Sequence, residues 1–249
     1  MSFKDHFSTQ ATDYAQYRPN YPEALFAYLA TLVPEHKLAW DCGTGNGQAA
    51  LSLAPHFEKI SATDPSAKQI ANATPHAKIN YHIAPAERTE IPPHSVDLIT
   101  VAQALHWFDF EKFYAEVGRV LKPNGVLAVW CYTLLESEPQ IDAILNEFYF
   151  DIVGRYWPPE RKLLENNYRD IPFPFEQITT PRFYMEQEWR LDDLFGYLGT
   201  WSSVQRFIAQ HGEDPREQIR ARLREAWGEV AEPRRIKWPL HLKIGRLER

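Results

Sequence analysis

The fold of this chain is decided by the stretch Asp41-Cys42-Gly43-Thr44-Gly45-Asn46-Gly47, which follows the apolar residues 38–40. Three alternating glycines let the backbone turn sharply and approach a ligand closely, because a glycine has no Cβ. Residues 48–53 are typical of a helix, whose first N–H groups point at anything bound there. A second apolar stretch ends at Asp64, where a carboxylate can accept hydrogen bonds from a ribose diol. This order of elements indicates a nucleotide-cofactor site.

The glycine spacing separates two classes of cofactor site. The dinucleotide fingerprint G-x-G-x-x-G/A requires a small residue at position 48, which is Gln48 here. The third glycine instead comes one residue earlier, and Asp41 stands two residues before the first. The pattern D-x-G-x-G-x-G resembles motif I of the class I S-adenosylmethionine (SAM) dependent methyltransferases. An NAD(P)-dependent oxidoreductase stays open as another enzyme class, and a SAM-binding protein without transferase activity as a non-enzyme.

Further segments agree with this resemblance. A probable third strand at residues 78–83 is followed by Ala86 and Glu87, where the family places a small or acidic residue against the adenine amino group. A buried strand at residues 96–101 comes next. The run Leu-Lys-Pro-Asn-Gly at residues 121–125 then precedes a fifth strand. Together these motifs make the resemblance specific over roughly residues 35–135, about one domain core.

The resemblance implies an α/β fold, with a Rossmann-like, doubly wound sheet of seven strands. Its order would be 3-2-1-4-5-7-6, with strand seven antiparallel. Alternating apolar residues predict strand six at 182–189 and strand seven at 235–244. We expect one domain over residues 1–249, divided into an N-terminal lid (1–34), a SAM-binding core (35–135), lid insertions with strand six (136–234) and a final strand (235–249).

Residues 136–180, called the insertion below, are too long for an ordinary helix connection. Pro158 and Pro159, and later Pro172 and Pro174, interrupt them. Long connections of this kind in compact domains are usually functional. We expect the insertion to lie over the site as part of a helical lid.

Two segments narrow the resemblance. Residues 7–22 and 190–202 look like the corresponding parts of small-molecule methyltransferases related to trans-aconitate methyltransferases, in the methyltransferase type 11 group. This resemblance implies a small organic acceptor, with a carboxylate as one possibility. Arg18 is the only cation between residues 7 and 22. We expect it to pair with a carboxylate of the cofactor or the acceptor when this segment closes over the cleft.

Motif and resemblance together predict the residues of the SAM site. They are Arg18, Asp41, Gly43, Thr44, Gly45, Gly47, Asp64, Pro65, Ser66, Gln69, Ala86, Glu87, Gln103 and Trp107. His106 follows strand four, where it would face the cofactor methyl, and it is the candidate general base if the acceptor must lose a proton. In that role it would titrate near its usual range, pH 6 to 7. Two plainer interpretations remain: Asp64 caps the next helix, and His106 only packs.

Composition excludes several other classes. The chain has 249 residues with 44% hydrophobic content, enough for one large α/β domain. A net charge of −6 argues against nucleic-acid partners, and no apolar run is long enough to cross a membrane. The nine histidines lack the spacing of metal ligands. Two isolated cysteines, Cys42 and Cys131, indicate free thiols. We therefore expect a cytoplasmic monomer or homodimer that binds a small molecule and no metal.

Overall fold

The computed structural model describes residues 19–247 and contains one mixed sheet of eight strands. Five strands come before residue 133, and three come after the middle of the chain. In chain order they are β1 Leu38–Cys42, β2 Lys59–Asp64, β3 Ile79–Ile83, β4 Val96–Ala102, β5 Leu121–Tyr132, β6 Glu176–Gln177, β7 Phe183–Trp189 and β8 Arg234–Arg246.

The sheet is parallel except at one edge. Strands β1 to β5 are parallel, in the order β3-β2-β1-β4-β5. β8 pairs antiparallel with β5, and both β6 and β7 pair antiparallel with the far side of β8. The predicted fold and strand order are confirmed, with β7 as the sixth strand of the pattern and β8 as the seventh. The sequence does not predict β6, because two residues carry no periodic pattern.

Helices cover both faces of the sheet. They are α1 Glu23–Thr31, α2 Gln48–Leu53, α3 Ala67–Ala71, α4 Phe110–Val120, α5 Pro139–Glu147, α6 Arg161–Glu165, α7 Leu191–Gly199, α8 Ser202–His211 and α9 Glu217–Trp227. Side chains of a strand point alternately to its two faces. Trp130 of β5 therefore joins the core layer that contains α1, α2, α5, α7 and α9, whereas Cys131 joins the layer that contains α4.

Part of the predicted lid belongs to the core. Leu25, Phe26 and Leu29 of α1 are fully buried in the first layer, and Leu194 and Leu198 of α7 are equally buried there. Burial of a leucine or phenylalanine side chain stabilises a fold by roughly 1.5 to 3 kcal/mol. These two helices are therefore packed against the sheet, and the division of the chain into core and lid stays a prediction. Arg18 and the preceding residues lie outside the described residues.

The insertion connects the two layers. Tyr149 packs in the first layer, while Leu164 and Tyr168 pack in the second. A segment that reaches both faces must pass over an edge of the sheet. Tyr168 contacts His106, which follows the carboxyl end of β4. The insertion therefore passes over the carboxyl edge, where ligands bind in open α/β sheets.

Candidate functional site

The glycine loop, residues 41–47, is held by backbone contacts. Gly43, Gly45 and Gly47 have φ values of 69°, 56° and 92°, all in the left-handed region that favours glycine. The N–H groups of Gly43 and Thr44 both donate to the Thr63 carbonyl oxygen at 2.9 Å, which ties the loop to β2. The loop conformation thus depends on all three glycines.

The three glycines have different surroundings. A Cβ added at Gly43 would lie 2.6 Å from the Ala104 Cβ, and one at Gly47 would lie 2.3 Å from the Tyr81 hydroxyl. Among the described atoms within 4 Å, a Cβ at Gly45 would meet only the Gln69 Oε1, at 4.0 Å. Protein packing therefore excludes side chains at the outer two glycines. At Gly45 the backbone is open to a ligand.

Asp41 supports the loop from inside the protein. The side chain is 1% exposed and accepts hydrogen bonds from the hydroxyls of Thr44 and Thr100. Burial raises the pKa of the Asp41 carboxyl to about 6, against the opposing effect of these hydroxyls. Asp41 thus fixes Thr44 and the carboxyl ends of β1 and β4, and its position below the loop indicates a role in shaping the site.

Asp64 connects the loop to the start of α3. Its two carboxylate oxygens accept from the backbone N–H groups of Gly45 and Ser66, each at 2.9 Å. Ser66 is the N-cap of α3, since its hydroxyl accepts from the Gln69 N–H at 3.3 Å. Asp64 itself is therefore not the cap. Its carboxylate lies against the same glycine that is open to a ligand.

Two other predicted residues make contacts that shape the cleft. Glu87 accepts from the backbone N–H of Asp109 at 2.9 Å, which ties the loop after β3 to the start of α4. Gln103 has a φ of 57°, and its side-chain amide both donates to the Tyr132 carbonyl and accepts from the Tyr132 N–H, each at 3.0 Å. Gln103 thereby extends the pairing of β4 and β5 by one step.

The remaining predicted residues fall into two groups. Pro65, Ser66 and Gln69 lie with the glycine loop, because they follow Asp64 directly and Gln69 approaches Gly45. Ala86 is buried on the other side of Asp64, in the second core layer. Trp107 belongs to the 3-10 helix Leu105–Trp107, which adjoins the glycine loop through Ala104.

His106 lies on this 3-10 helix at a position shielded from solvent. The residue is 8% exposed, and its Nδ1 lies 2.8 Å from the Tyr168 hydroxyl. The Trp107 ring lies at 4.8 Å, between ring centroids. Burial, and to a lesser extent the charge of Arg161, lower the pKa of His106 to about 3. This pKa lies below the range of pH 6 to 7 expected of a general base, so the imidazole is neutral at pH 7, and its role stays a prediction.

Sequence reasoning missed Tyr168 and Arg161. Tyr168 is fully buried with a φ of 59°, and burial raises the pKa of its hydroxyl well above the usual range. The Arg161 guanidinium lies 4.3 Å from the Trp157 ring centroid and donates from Nε to the Tyr149 hydroxyl at 2.8 Å. No local motif marks either residue, since Tyr168 and its partner His106 are 62 residues apart.

Residues 19–247 contain no cluster of three or more His, Cys, Asp or Glu side chains able to hold a metal ion. Within the same range no helix is both long and apolar enough to span a membrane.

Known proteins resemble this chain over nearly its full length. A methyltransferase-domain family model matches residues 40–129. A putative methyltransferase of Dictyostelium discoideum is 36% identical over 229 residues, covering 90% of this chain and 87% of the relative. The structure of a putative type II methyltransferase from Anaeromyxobacter dehalogenans superposes with a TM-score of 0.88 at 44% identity, covering 93% of this chain and 99% of that one.

The chain belongs to the class I SAM-dependent methyltransferases. A more distant solved structure has the same fold: Haemonchus contortus phosphoethanolamine N-methyltransferase 2 in complex with SAM. It shows a TM-score of 0.51 at 18% identity, with 100% of this chain and 60% of that chain covered. Family membership removes the oxidoreductase alternative. SAM is the cofactor of this methyltransferase.

The glycine loop fits SAM. Gly45 leaves its backbone approachable exactly where a Cβ would stand in the way of a ligand, and the Asp64 carboxylate lies beside it. Asp41 and Thr44 support the loop from inside the protein, and cofactor contact by Gly45, Asp64 and Gln69 stays a prediction. The direct contacts of the other predicted residues stay a prediction.

Proposed function

We propose that this methyltransferase transfers the methyl group of SAM to a carboxylate oxygen of a small organic acceptor. The observation that carries the proposal is the state of His106, which is buried, neutral and hydrogen-bonded to Tyr168. The resemblance of residues 190–202 to trans-aconitate-type methyltransferases supports the same acceptor class. The same resemblance of residues 7–22 also supports this acceptor class.

The low basicity of His106 restricts which acceptor groups this site can methylate. A hydroxyl or ammonium acceptor must lose a proton before or during attack, and a general base works best with a pKa near the operating pH. The pKa of His106 is lowered to about 3, so its imidazole is a poor proton acceptor at pH 7. A carboxylate has an ordinary pKa of about 4 and is already ionised. His106 then positions the acceptor without removing a proton.

Positioning provides most of the rate. When bound, SAM supplies an electrophilic methyl group on a sulfonium. The chain contributes a fixed glycine loop on one side and the insertion on the other, so that the acceptor oxygen is held at near-attack distance, roughly 3 to 3.5 Å. His106, Trp107 and Tyr168 form a largely buried wall after β4, which excludes water from this point.

We propose further that the partner is a small molecule. The net charge of −6 disfavours nucleic acid as an acceptor. We also propose a cytoplasmic monomer or homodimer, with Arg18 closing over the bound ligands. The competing proposal is a SAM-binding protein without turnover.

The test is a product assay with carboxylic acids, alcohols and primary amines as separate acceptor sets. We expect S-adenosylhomocysteine (SAH) release with at least one carboxylic acid, and a methyl product that hydrolyses in base, as esters do. A base-stable product formed from an amine or an alcohol would refute the carboxylate proposal. SAM binding without SAH release in any set would favour the non-enzyme reading.

A further inference from the structure

The insertion carries a cation without a counterion of its own. Among residues 19–247, no carboxylate lies within 4.0 Å of the Arg161 guanidinium, although eleven such ion pairs exist elsewhere in that range. Its one hydrogen bond there runs from Nε to the Tyr149 hydroxyl. Tyr149 in turn donates to Glu165 at 3.2 Å, so the nearest acid is reached only through this phenol.

Aromatic rings hold the guanidinium in place. It stands 4.3 Å from the Trp157 centroid and 5.5 Å from that of Tyr149. Trp201 packs against both rings, at 5.6 Å from each. A stacked arginine presents its terminal N–H groups as a rigid fork suited to carboxylates. The side chain is thus arranged before any ligand arrives.

The position of Arg161 links it to the reaction site. Arg161 begins α6, which packs on the 3-10 helix of His106. The guanidinium is close enough to affect the pKa values of His106, Cys131 and Tyr168. His106 follows β4, Cys131 lies near the end of β5, and Tyr168 contacts His106. It also lies where the insertion crosses between the two core layers. Arg161 therefore faces the carboxyl edge of the sheet, beside the acceptor end of the cleft.

A neighbouring donor also lacks a partner. The buried indole Nε1 of Trp157 has no hydrogen-bond acceptor. Buried donors in native proteins are nearly always paired, so an unpaired one needs an explanation. This donor is closed off from solvent, so the terminal N–H groups of Arg161, on a half-exposed side chain, are the donors that a bound group with acceptor oxygens would meet.

We infer that Arg161 is a specificity-determining residue that binds a second anionic group of the acceptor, apart from the oxygen that receives the methyl. This inference rests on the proposed methylation of a carboxylate. The reacting carboxylate loses its charge during transfer. An arginine bound to it would stabilise the ground state more than the transition state and slow the reaction. Arg161 is therefore better suited to a second group of the acceptor, whose negative charge persists during methyl transfer.

Binding of matched probes to SAH-saturated protein tests the inference. The probes are the dicarboxylates from malonate to adipate, each compared with its half-amide, which keeps one carboxylate. For wild type we expect one or more dicarboxylates to bind at least about tenfold more tightly than the half-amide, by calorimetry. In Arg161→Gln this preference should vanish, and Arg161→Lys should keep part of it. The SAH dissociation constant should stay within about twofold throughout.

Arg155→Gln is the matched control. Arg155 is exposed and also stacks on an aromatic ring, that of Tyr156 at 4.9 Å, so its loss controls for a cation–π contact in the same segment. It should leave the dicarboxylate preference intact. A preference that persists in Arg161→Gln, or no preference in wild type, would overturn the inference. SAH release is measured separately: a base-hydrolysable methyl product without any Arg161-dependent preference for dicarboxylates would overturn this inference and leave the carboxylate reaction standing.

Discussion

The two ends of the cleft differ in the atoms that line them: backbone atoms form one end, and side chains form the other. The glycine loop is shaped by backbone atoms and by side chains close in sequence. The Gly45 N–H donates to the Asp64 carboxylate, and the N–H groups of Gly43 and Thr44 donate to the Thr63 carbonyl oxygen of β2. The insertion forms its wall from side chains, such as Tyr168, that meet residues far away in the chain. A backbone site suits a cofactor that does not vary, whereas a side-chain wall can change its acceptor by single substitutions.

Among the substitutions considered, those at Gly43 and Gly45 should have the largest effects on cofactor binding by the glycine loop. In Gly43→Ala the new Cβ would meet the Ala104 Cβ at 2.6 Å, so we expect the loop to shift, with SAH affinity falling on the order of 100-fold and stability falling as well. In Gly45→Ala, the nearest atom to the new Cβ among the described residues outside 44–46 is the Gln69 Oε1, at 4.0 Å. That variant should lose affinity with a smaller stability loss, about 1 to 2 kcal/mol from its positive φ.

Calorimetry with SAH and thermal denaturation, applied to both glycine variants, separate the two effects. Equal SAH affinity in Gly45→Ala and wild type would show that the ligand does not approach Gly45. The contrast between a cofactor loop and a side-chain wall would then be lost.

Asp64 tests how far the loop depends on one side chain. Asp64→Ala leaves the Gly45 and Ser66 N–H groups without their acceptor, so we expect SAH binding to weaken by about 1 to 3 kcal/mol. Ser66→Ala removes only the cap of α3 and should reduce stability by about 1 kcal/mol with a smaller loss of SAH affinity. An Asp64→Ala dissociation constant equal to that of wild type would reduce this carboxylate to a structural role.

On the wall side, His106 affects stability only as the pH falls. Its folded pKa of about 3 lies below the ordinary 6.5, so between these values the unfolded chain binds a proton that the folded chain does not. Its contribution to stability is complete above about pH 6.5 and is lost as the pH falls toward 3. At pH 5 this loss amounts to about 2 kcal/mol.

His106→Gln should therefore lose less stability than wild type between pH 7.5 and 5, measured by urea unfolding. His82→Gln, at an exposed position of β3, controls for the loss of one histidine. An identical pH dependence in His106→Gln and wild type would contradict a buried, neutral imidazole. In kcat/KM we expect no inflection from His106 between pH 5 and 8.

The same contrast decides what the sequence can predict. The individual strands follow from periodic apolar residues and the glycine loop from a motif within residues 41–64, where each determinant is local, whereas the strand order is implied by the family resemblance. The sequence predicts Gln103 at the cofactor, but it does not show that the positive φ of this residue lets the amide hydrogen-bond Tyr132; cofactor contact stays a prediction. The close packing of α1 against the sheet is not visible in the sequence, because its partners Trp130 and Ala49 lie far along the chain. Arg161 has no sequence signal, since a cation without a partner is visible only in three dimensions.

The interrupted outer edge of the sheet has a consequence for association. Within the described residues, β6 and β7 together form this edge, and residues 178–182 separate them. β7 also presents the exposed carboxylates of Glu186 and Glu188. An unpaired strand is a template on which another chain can add and begin to aggregate, and short strands with charged side chains suppress this. A foreign strand would find here a broken ladder, the carboxylate of Glu188 and the ion pairs of Glu186 with Arg235 and Lys237, so this edge resists fibril-like growth.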